Sequence, residues 1–376
     1  MESTVNRLHV LVLPAWMPDE QAPATGAFIL DQAEALAQFA ETGILYAGTR
    51  QVLASALQGL EAQGIHVYTK TIPYIPKAAG FCIAAWCRQY YQAFEAYCLK
   101  FGKPDILHAH SYIAGIAAEY IAARATVPFV LTEHATAFLA GTIRPVHRRF
   151  IARMLQRAAE VIAVGAALAT ALKAYTDRQI SVIPNGIDPS VFYWIDDKGH
   201  PPTIIVVGAL IRRKRVDLVI KALQALPEID LVIIGSGVER QRLGLLAKQC
   251  AVNDRIRWVP FAAKAEIAAH MQRADLLVSA SDTETFGVVV LEALACGLPV
   301  VATASGGPEQ FVPEAYGKIL NRAVTADALA DAIRSVLRNQ NSYDGKAISE
   351  WAHANFNRMI IAQRLIEQYR QILNQA

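Results

Sequence analysis

The segment Ser281–Ala293 holds the residues best suited to chemistry, two glutamates on either side of a Phe-Gly-Val sequence. Glu284 and Glu292 are separated by seven residues. If a helix begins near Phe286, Glu284 lies in the loop before it and Glu292 lies about two turns inside. One carboxylate could then accept hydrogen bonds from sugar hydroxyls and the other from ribose hydroxyls. The helix N-terminus, opened by Gly287, would offer N–H groups and a positive dipole end to a phosphate.

The neighbouring loops decide how these glutamates are interpreted. Taken alone, the two side chains would be better explained as an acid at a helix start and a solvated glutamate. The sequence GGPE at 306–309 follows the next predicted strand, and GSG at 235–237 follows another strand of the same half. Glycine lets the backbone approach a ligand closely, and proline suits the first position of a helix. Such loops after several strands of one domain favour a ligand site.

A run of four cations, Arg212 to Arg215, follows the first predicted strand of that half, with no acid before Asp217. Arginine can bind a diphosphate through two parallel hydrogen bonds, and lysine can bind it as a point charge. A charge run is usually a solvated loop. Its position just beyond a strand end favours a phosphate site here.

Short β-branched runs alternate with amphipathic stretches, which predicts parallel sheets covered by helices on both faces. A turn cluster at 183–189 and a polar stretch at 196–202 indicate a linker between two doubly wound domains. Ligands of such sheets bind beyond the carboxyl ends of the strands, so we expect a cleft where the two sheets face each other. The predicted strands are Leu8–Leu13, Ile44–Ala47, Ile65–Tyr68, Ile106–His110, Phe129–Thr132, Val161–Val164, Ser181–Ile183, Ile204–Val207, Leu231–Ile234, Ile256–Val259, Leu276–Ser279 and Val300–Thr303.

These motifs resemble those of the retaining glycosyltransferases of family 4, which have the GT-B architecture of two Rossmann-like domains. That family carries G-x-L-x-x-x-K, G-x-G, E-x-F-G-x-x-x-x-E and a glycine pair followed by Glu. The matching stretches here are 208–214, 235–237, 284–292 and 306–309. In the first half, the stretches 16–28, 105–110, 132–135 and 182–188 resemble its glycine loop, its two His-bearing strand ends and its linker entry.

The resemblance implies roles for the charged positions. Glu284 would bind the hydroxyls of the donor sugar, and Glu292 would bind the ribose. Lys214, together with Arg213 or Arg212, would stabilise the departing diphosphate. Many members have arginine directly after the first glycine of this loop, where this chain has alanine. The choice between the two arginines therefore stays open.

The resemblance also implies the position of His134, the bounds of the two domains and the other positions that bind the donor. His134 would lie near the transferred sugar. Residues 1–190 would form the acceptor-side domain and 191–354 the nucleotide-sugar domain, with a C-terminal helix at 355–376 packing back on the first domain. The remaining donor-binding positions are Gly26, Gly208, Gly235, Gly237, Phe286, Gly287 and Val288.

The composition limits the function classes. With 53% hydrophobic residues the chain can bury two cores, and a net charge of +3 does not argue for nucleic acid. No signal-peptide cleavage site and no spanning apolar stretch are evident, so we expect a cytoplasmic protein. Five cysteines without CxxC spacing predict reduced thiols. No third ligand joins His108 and His110, so we expect no metal and no cofactor besides the nucleotide sugar.

A stretch without acids lies between Glu133 and Glu160 and contains five arginines. Several of them share one helix face, and unpaired like charges there cost stability. Two alternatives remain open: contact with a lipid phosphate or the anionic inner face of a membrane, or pairing with acids from elsewhere in the fold. The arginines are Arg144, Arg148, Arg149, Arg153 and Arg157.

We therefore expect a metal-independent, retaining enzyme that moves a hexose-type sugar from a nucleoside diphosphate sugar to an acceptor. The acceptor would be a glycan or glycolipid in polysaccharide, lipopolysaccharide or glycolipid assembly. The alternatives are a sugar-nucleotide epimerase or phosphorylase of the same architecture, and a non-catalytic subunit that binds nucleotide sugars. An epimerase would need no acceptor, and a binding subunit would show no turnover.

Overall fold

The computed structural model describes residues 7–23, 25–72, 80–196 and 201–375. The chain forms two compact units: unit 1 is Met1–Gly186 with Arg358–Ala376, and unit 2 is Ile187–Asn357. The sequence-based prediction puts these boundaries at 190 and 354. Residues 197–200 of the predicted linker lie outside the described part of the chain.

A seven-stranded parallel sheet forms the centre of unit 1, in the order β3-β2-β1-β4-β5-β6-β7. Its middle strands are mostly apolar and are buried on both faces, as in other parallel sheets. The strands are β1 (His9–Pro14), β2 (Glu41–Gly48), β3 (His66–Thr71), β4 (Ile106–His110), β5 (Phe129–Glu133), β6 (Glu160–Ala163) and β7 (Ser181–Val182). The helices are α1 (Ala27–Ala37), α2 (Ala54–Ala62), α3 (Gly80–Phe101), α4 (Ser111–Ala125), α5 (Pro145–Arg157) and α6 (Ala166–Leu172).

A six-stranded parallel sheet forms the centre of unit 2, in the order β10-β9-β8-β11-β12-β13. Its strands are β8 (Thr203–Val207), β9 (Asp230–Ile234), β10 (Ile256–Val259), β11 (Leu276–Ser279), β12 (Val300–Thr303) and β13 (Gly317–Leu320). Its helices are α7 (Val216–Ala222), α8 (Arg240–Gln249), α9 (Lys264–Gln272), α10 (Val288–Ala295), α11 (Ala326–Arg338) and α12 (Gly345–Phe356).

Helix α13 (Arg358–Gln375) returns the chain to unit 1 and packs on α1. Its inner face, which includes Ile361, Leu365 and Tyr369, belongs to the same apolar core as β1 and α1. Arg358 Nη1 lies 3.1 Å from a carboxylate oxygen of Glu34, which ties the start of α13 to α1.

The two doubly wound parallel sheets confirm the predicted fold class, and each of the twelve predicted strands is present. The prediction missed β13. Its sequence, Gly-Lys-Ile-Leu, is short and interrupted by a lysine, and it lies at the edge of the sheet. Within the described residues, no helix combines the length and apolarity needed to cross a bilayer.

Candidate functional site

The loops that follow β8 and β9 pack backbone against backbone. Gly235 has φ +148°, and a Cβ added there would lie 1.9 Å from the carbonyl oxygen of Gly208. Gly237 has φ +154°, and its Cβ would lie 2.4 Å from the carbonyl oxygen of Leu210. Both conformations and both contacts require glycine. The predicted glycine loops therefore lie together at the carboxyl end of the sheet, and loop packing alone explains their residue type.

Helix α10 begins two residues later than predicted, because Gly287 adopts φ +94° and precedes its first turn. Glu292 therefore lies just over one turn inside the helix. Glu284 lies in the preceding loop, where its N–H donates to the carbonyl oxygen of Ser305 at 2.9 Å. A Cβ on Gly307 would lie 2.3 Å from the carbonyl oxygen of Phe286, so the loops after β11 and β12 also lie in direct contact.

Arg213, Lys214 and Glu284 form a charged cluster at the carboxyl ends of β8 and β11. Lys214 Nζ donates to Glu284 Oε1 at 2.5 Å, and Arg213 Nη1 lies 3.7 Å from Glu284 Oε2. Arg213 also donates to the carbonyl oxygen of Thr283 at 2.5 Å. The sequence assigned separate roles to these side chains, and their mutual contact was not predicted.

Burial acts to raise the pKa of Glu284, but the charge and hydrogen bond of Lys214, with Ser281 and Arg213, lower the pKa overall. The carboxylate is thus ionised although Glu284 is only 9% exposed. A buried anion with two cations beside it can accept hydroxyl donors, and the cations keep N–H groups for another anion.

Arg212 and Arg213, between which the sequence did not choose, differ in their surroundings. Arg213 contacts Glu284, whereas Arg212 is exposed and lines a cavity with Arg215, Asp217 and other charged side chains. A further cation was missed: Arg322 donates to the hydroxyl of Thr283 at 2.7 Å. The sequence did not indicate Arg322, because it follows β13, a strand that was not predicted.

His108, His110 and His134 form a histidine cluster at the carboxyl ends of β4 and β5. His108 Nδ1 lies 2.6 Å from the Tyr369 hydroxyl, and its Nε2 lies 2.7 Å from Thr132 Oγ1. His110 Nδ1 lies 3.0 Å from His134 Nε2. Burial lowers the pKa of both His108 and His134 to about 3. Burial and the neighbouring histidines hold the pKa of His110 well below its usual value, so the cluster is uncharged at neutral pH.

Glu133 anchors the backbone around His134. Its carboxylate accepts the N–H groups of Tyr112 at 2.7 Å, His134 at 2.8 Å and Ala135 at 2.7 Å. Burial raises the pKa of Glu133 to about 7, although these N–H groups act to lower it. In the sequence, Glu133 stands only within the motif at 132–135, and the resemblance implied no role for it.

Gly26 positions a neighbour of His134. It has φ +76°, and a Cβ there would lie 2.3 Å from the carbonyl oxygen of Trp16. The close approach sets the start of α1, where the ring of Phe28 lies 4.7 Å from that of His134. Packing thus explains the glycine at position 26, beside its predicted role as a donor-binding position in the glycine loop.

A cavity of about 370 Å³ opens in unit 1 beyond the ends of β1 and β2. Its size falls within the range of small-molecule pockets. An ion pair between Arg50 and Asp19, with 3.2 Å between nitrogen and oxygen, forms part of its wall. Aromatic side chains supply much of the rest: Trp16, Tyr46, Trp86 and Tyr90.

The arginines of α5 are not all unpaired. Arg153 and Arg157 bind the two oxygens of Glu119 at 2.7 Å and 2.6 Å, and Glu119 is only 3% exposed. Pairing with an acid from elsewhere therefore holds for these two residues. Arg148 and Arg149 are exposed, and neither has an ion-pair partner within the described residues.

Across the described residues, no three His, Cys, Asp or Glu side chains gather as a metal site. Metal independence stays a prediction, which removal of metal from the purified protein can test. Cys87, Cys98, Cys250 and Cys296 are free thiols.

Two family models match the chain. Glycosyltransferase Family 4 matches residues 26–191, and Glycosyl transferases group 1 matches residues 195–349. Together they span most of both units.

Curated relatives support the match. The D-inositol 3-phosphate glycosyltransferase of Xylanimonas cellulosilytica is 30% identical over 270 residues, which are 62% of this chain and 63% of that protein. The GDP-mannose-dependent alpha-(1-6)-phosphatidylinositol monomannoside mannosyltransferase of Mycobacterium tuberculosis is 31% identical over 185 residues, 46% of this chain and 48% of that protein. The chain thus spans 48% to 63% of the length of these relatives.

A solved structure shares the fold. Anabaena HepE in complex with UDP-glucose has a TM-score of 0.78 and 20% identity, covering 97% of this chain and 100% of that chain. Two Rossmann-like units of this kind define the GT-B fold. With both halves matched to glycosyltransferase models, the chain belongs to the family 4, group 1 glycosyltransferases.

Proposed function

We propose that the protein is a retaining, metal-independent glycosyltransferase that moves a hexose-type sugar from a nucleoside diphosphate sugar to a glycan or glycolipid. The charged cluster carries the proposal, because it places Lys214 and Arg213 beside the buried Glu284. The names of the relatives support it: one is GDP-mannose-dependent, and HepE binds UDP-glucose.

The cluster suits departure of a diphosphate. Lys214 has three N–H groups and uses one on Glu284, so two remain for phosphate oxygens. As the bond from the sugar C1 to the diphosphate oxygen breaks, Lys214 and Arg213 stabilise the charge that develops on that oxygen. The acceptor oxygen bonds to C1 on the same face, and its proton passes to the departing diphosphate. Glu284 holds sugar hydroxyls meanwhile.

Other residues position the two substrates. Glu292 binds the ribose, and the backbone from Phe286 to Val288 faces the donor phosphates at the start of α10. His134 lies beside the transferred sugar. The aromatic cavity beyond β1 and β2 takes the acceptor, since aromatic faces and an ion pair suit a polyol ring.

Thermal unfolding of the EDTA-treated protein tests the donor site. UDP, GDP, ADP and their sugars are compared on the wild type, Glu292→Ala and Lys214→Ala. A nucleotide that binds only the folded state raises Tm. We expect one base to stabilise the wild type clearly and both variants weakly, while Lys248→Ala, on the exposed side of α8, behaves as the wild type.

The products separate the alternatives. Transfer to an acceptor, with slow hydrolysis in its absence, supports the proposal. Free nucleoside diphosphate together with an altered free sugar would indicate an epimerase. Binding without any turnover would indicate a non-catalytic subunit, and loss of activity in EDTA that Mg²⁺ restores would contradict metal independence.

We further propose that Arg148 and Arg149 bring the protein to an anionic membrane surface, where a lipid-linked acceptor would lie. Arg144 lies beside them at the start of α5. The Arg148→Gln/Arg149→Gln variant should bind phosphatidylglycerol-containing vesicles less than the wild type does, because exposed cations add to attraction by anionic lipids. Arg88→Gln, an exposed residue of α3, is the control. Equal sedimentation of both variants with the vesicles would exclude this surface.

A further inference from the structure

Two aromatic neighbours hold the His134 ring in its plane. Phe28 lies 4.7 Å from it between ring centroids, and the ring of His110 lies edge to edge and nearly coplanar with it, at 5.3 Å between centroids and an interplanar angle of 18°. These contacts fix the plane but not the orientation within it. A half-turn about the Cβ–Cγ bond keeps nearly the same shape while it exchanges Nδ1 with Cδ2 and Nε2 with Cε1.

The hydrogen bond to His110 distinguishes the two orientations. His110 Nδ1 lies 3.0 Å from His134 Nε2, and after a half-turn a carbon would face His110 instead. Burial lowers the pKa of both rings, so each carries a single N–H and one ring donates to the other. With Nε2 engaged in this bond, Nδ1 is the ring nitrogen of His134 left for a ligand.

His110 has no second polar anchor within the described residues. Its Nε2 is buried without a hydrogen-bond partner, whereas both nitrogens of His108, two positions away, are hydrogen-bonded. A buried polar atom without a partner costs stability, so a histidine at this position needs a reason beyond packing. The bond to His134 is that reason.

We propose that His110 is a positioning residue that selects the orientation of His134, so that Nδ1 of His134 faces the transferred sugar. The inference rests on the proposed function, in which His134 lies beside that sugar. Without the bond, the His134 ring would occupy both orientations and present a C–H group for part of the time. Displacements of about 1 Å near reacting atoms can cost roughly a hundredfold in rate.

Three substitutions of His110 separate orientation from general packing. His110→Asn keeps a polar atom at the δ position, His110→Gln moves it to the ε position, and His110→Leu removes it. We expect kcat for hydrolysis of UDP-glucose or GDP-mannose to fall about 10- to 100-fold in the Gln and Leu variants, with recovery in the Asn variant. The Kd for the nucleoside diphosphate should stay unchanged in all three.

Tyr369→Phe is the matched control. It removes a buried hydroxyl from His108 in the same network without touching His134. We expect a lower Tm with wild-type kcat. A kcat loss in Tyr369→Phe equal to that in His110→Leu would overturn the proposal, because general loosening of the network would then explain both.

NMR of histidine-labelled protein reads the ring orientation directly, through NOEs from the Cδ2–H and Cε1–H protons of His134, assigned with His134→Gln. We expect NOEs of one orientation in the wild type and His110→Asn, and NOEs of both orientations in His110→Leu. NOEs of a single orientation in His110→Leu overturn the proposal. Should the wild type bind and cleave no nucleotide sugar, the proposed function fails, while the NMR comparison still supports or overturns the orienting role of His110.

Discussion

The charged cluster of unit 2 and the histidine cluster of unit 1 both lie at the carboxyl ends of parallel strands. They differ in what sets the charge state of their buried side chains. In unit 2, ion pairing with Lys214 and Arg213 keeps Glu284 ionised. In unit 1, burial dominates: it lowers the pKa of the histidines and raises the pKa of Glu133 to about 7. One sheet therefore ends in compensated charge, and the other in uncharged histidines beside a carboxyl group whose pKa is raised to about 7. The first arrangement suits a charged leaving group, and the second suits sugar hydroxyls.

The largest effect is expected when a cation of the charged cluster is removed. Lys214→Met should lower turnover about a hundred- to a thousandfold, because the charge that develops on the diphosphate loses a preorganised cation. Initial rates of nucleotide-sugar cleavage measure it, and Lys221→Met, in the last turn of α7, is the control. Turnover within a few-fold of the wild type would mean that Lys214 serves only to hold Glu284.

The two carboxylates should give opposite pH dependences of stability. The raised pKa of Glu133 means that the folded state holds this proton more tightly, so the free energy of unfolding falls as pH rises from 4.5 to about 7. Above that pH range, the titration of Glu133 lowers the free energy of unfolding by about 3 kcal/mol relative to its value below pH 4.5. The lowered pKa of Glu284 contributes stability above 4.5, and this is lost as pH falls through the folded value.

Urea unfolding across that range checks both signs. Glu133→Gln should flatten the decline of stability with rising pH, because the amide does not titrate. Glu284→Gln should remove stability at neutral pH and little at low pH. Identical pH profiles for the two variants would contradict the contrast between the clusters.

A smaller effect is expected at Gly235, where the loops after β8 and β9 pack backbone against backbone. Gly235→Ala should destabilise by about 2 kcal/mol or more, since it combines φ +148° with a Cβ placed 1.9 Å from a carbonyl oxygen. Gly59→Ala is the matched control within α2, where a Cβ meets nothing within 4 Å. It should stabilise by roughly 0.5 to 1 kcal/mol. Thermal unfolding of the two variants should therefore shift Tm in opposite directions.

Local patterns sufficed for the strands and for the position of Glu284 in a loop before α10, because apolar runs and turn residues act over a few positions. They did not reveal contacts made across the chain. Lys214 and Glu284 are seventy positions apart, and the pairing of Arg153 with Glu119 spans thirty-four. Such pairs depend on which strand ends and helix faces become neighbours, and that requires the folded sheet.

Helix α13 also fixes the order in which the protein can be completed during synthesis. The ribosome makes all of unit 2 before it makes Arg358–Gln375, yet this segment supplies part of the core of unit 1. Domains generally fold as units as they emerge. Unit 2 can therefore finish first, while the surface of α1 that Ile361 and Leu365 cover stays exposed on the nascent chain. The unit begun first is completed last, so its uncovered apolar surface is where we expect chaperones to bind.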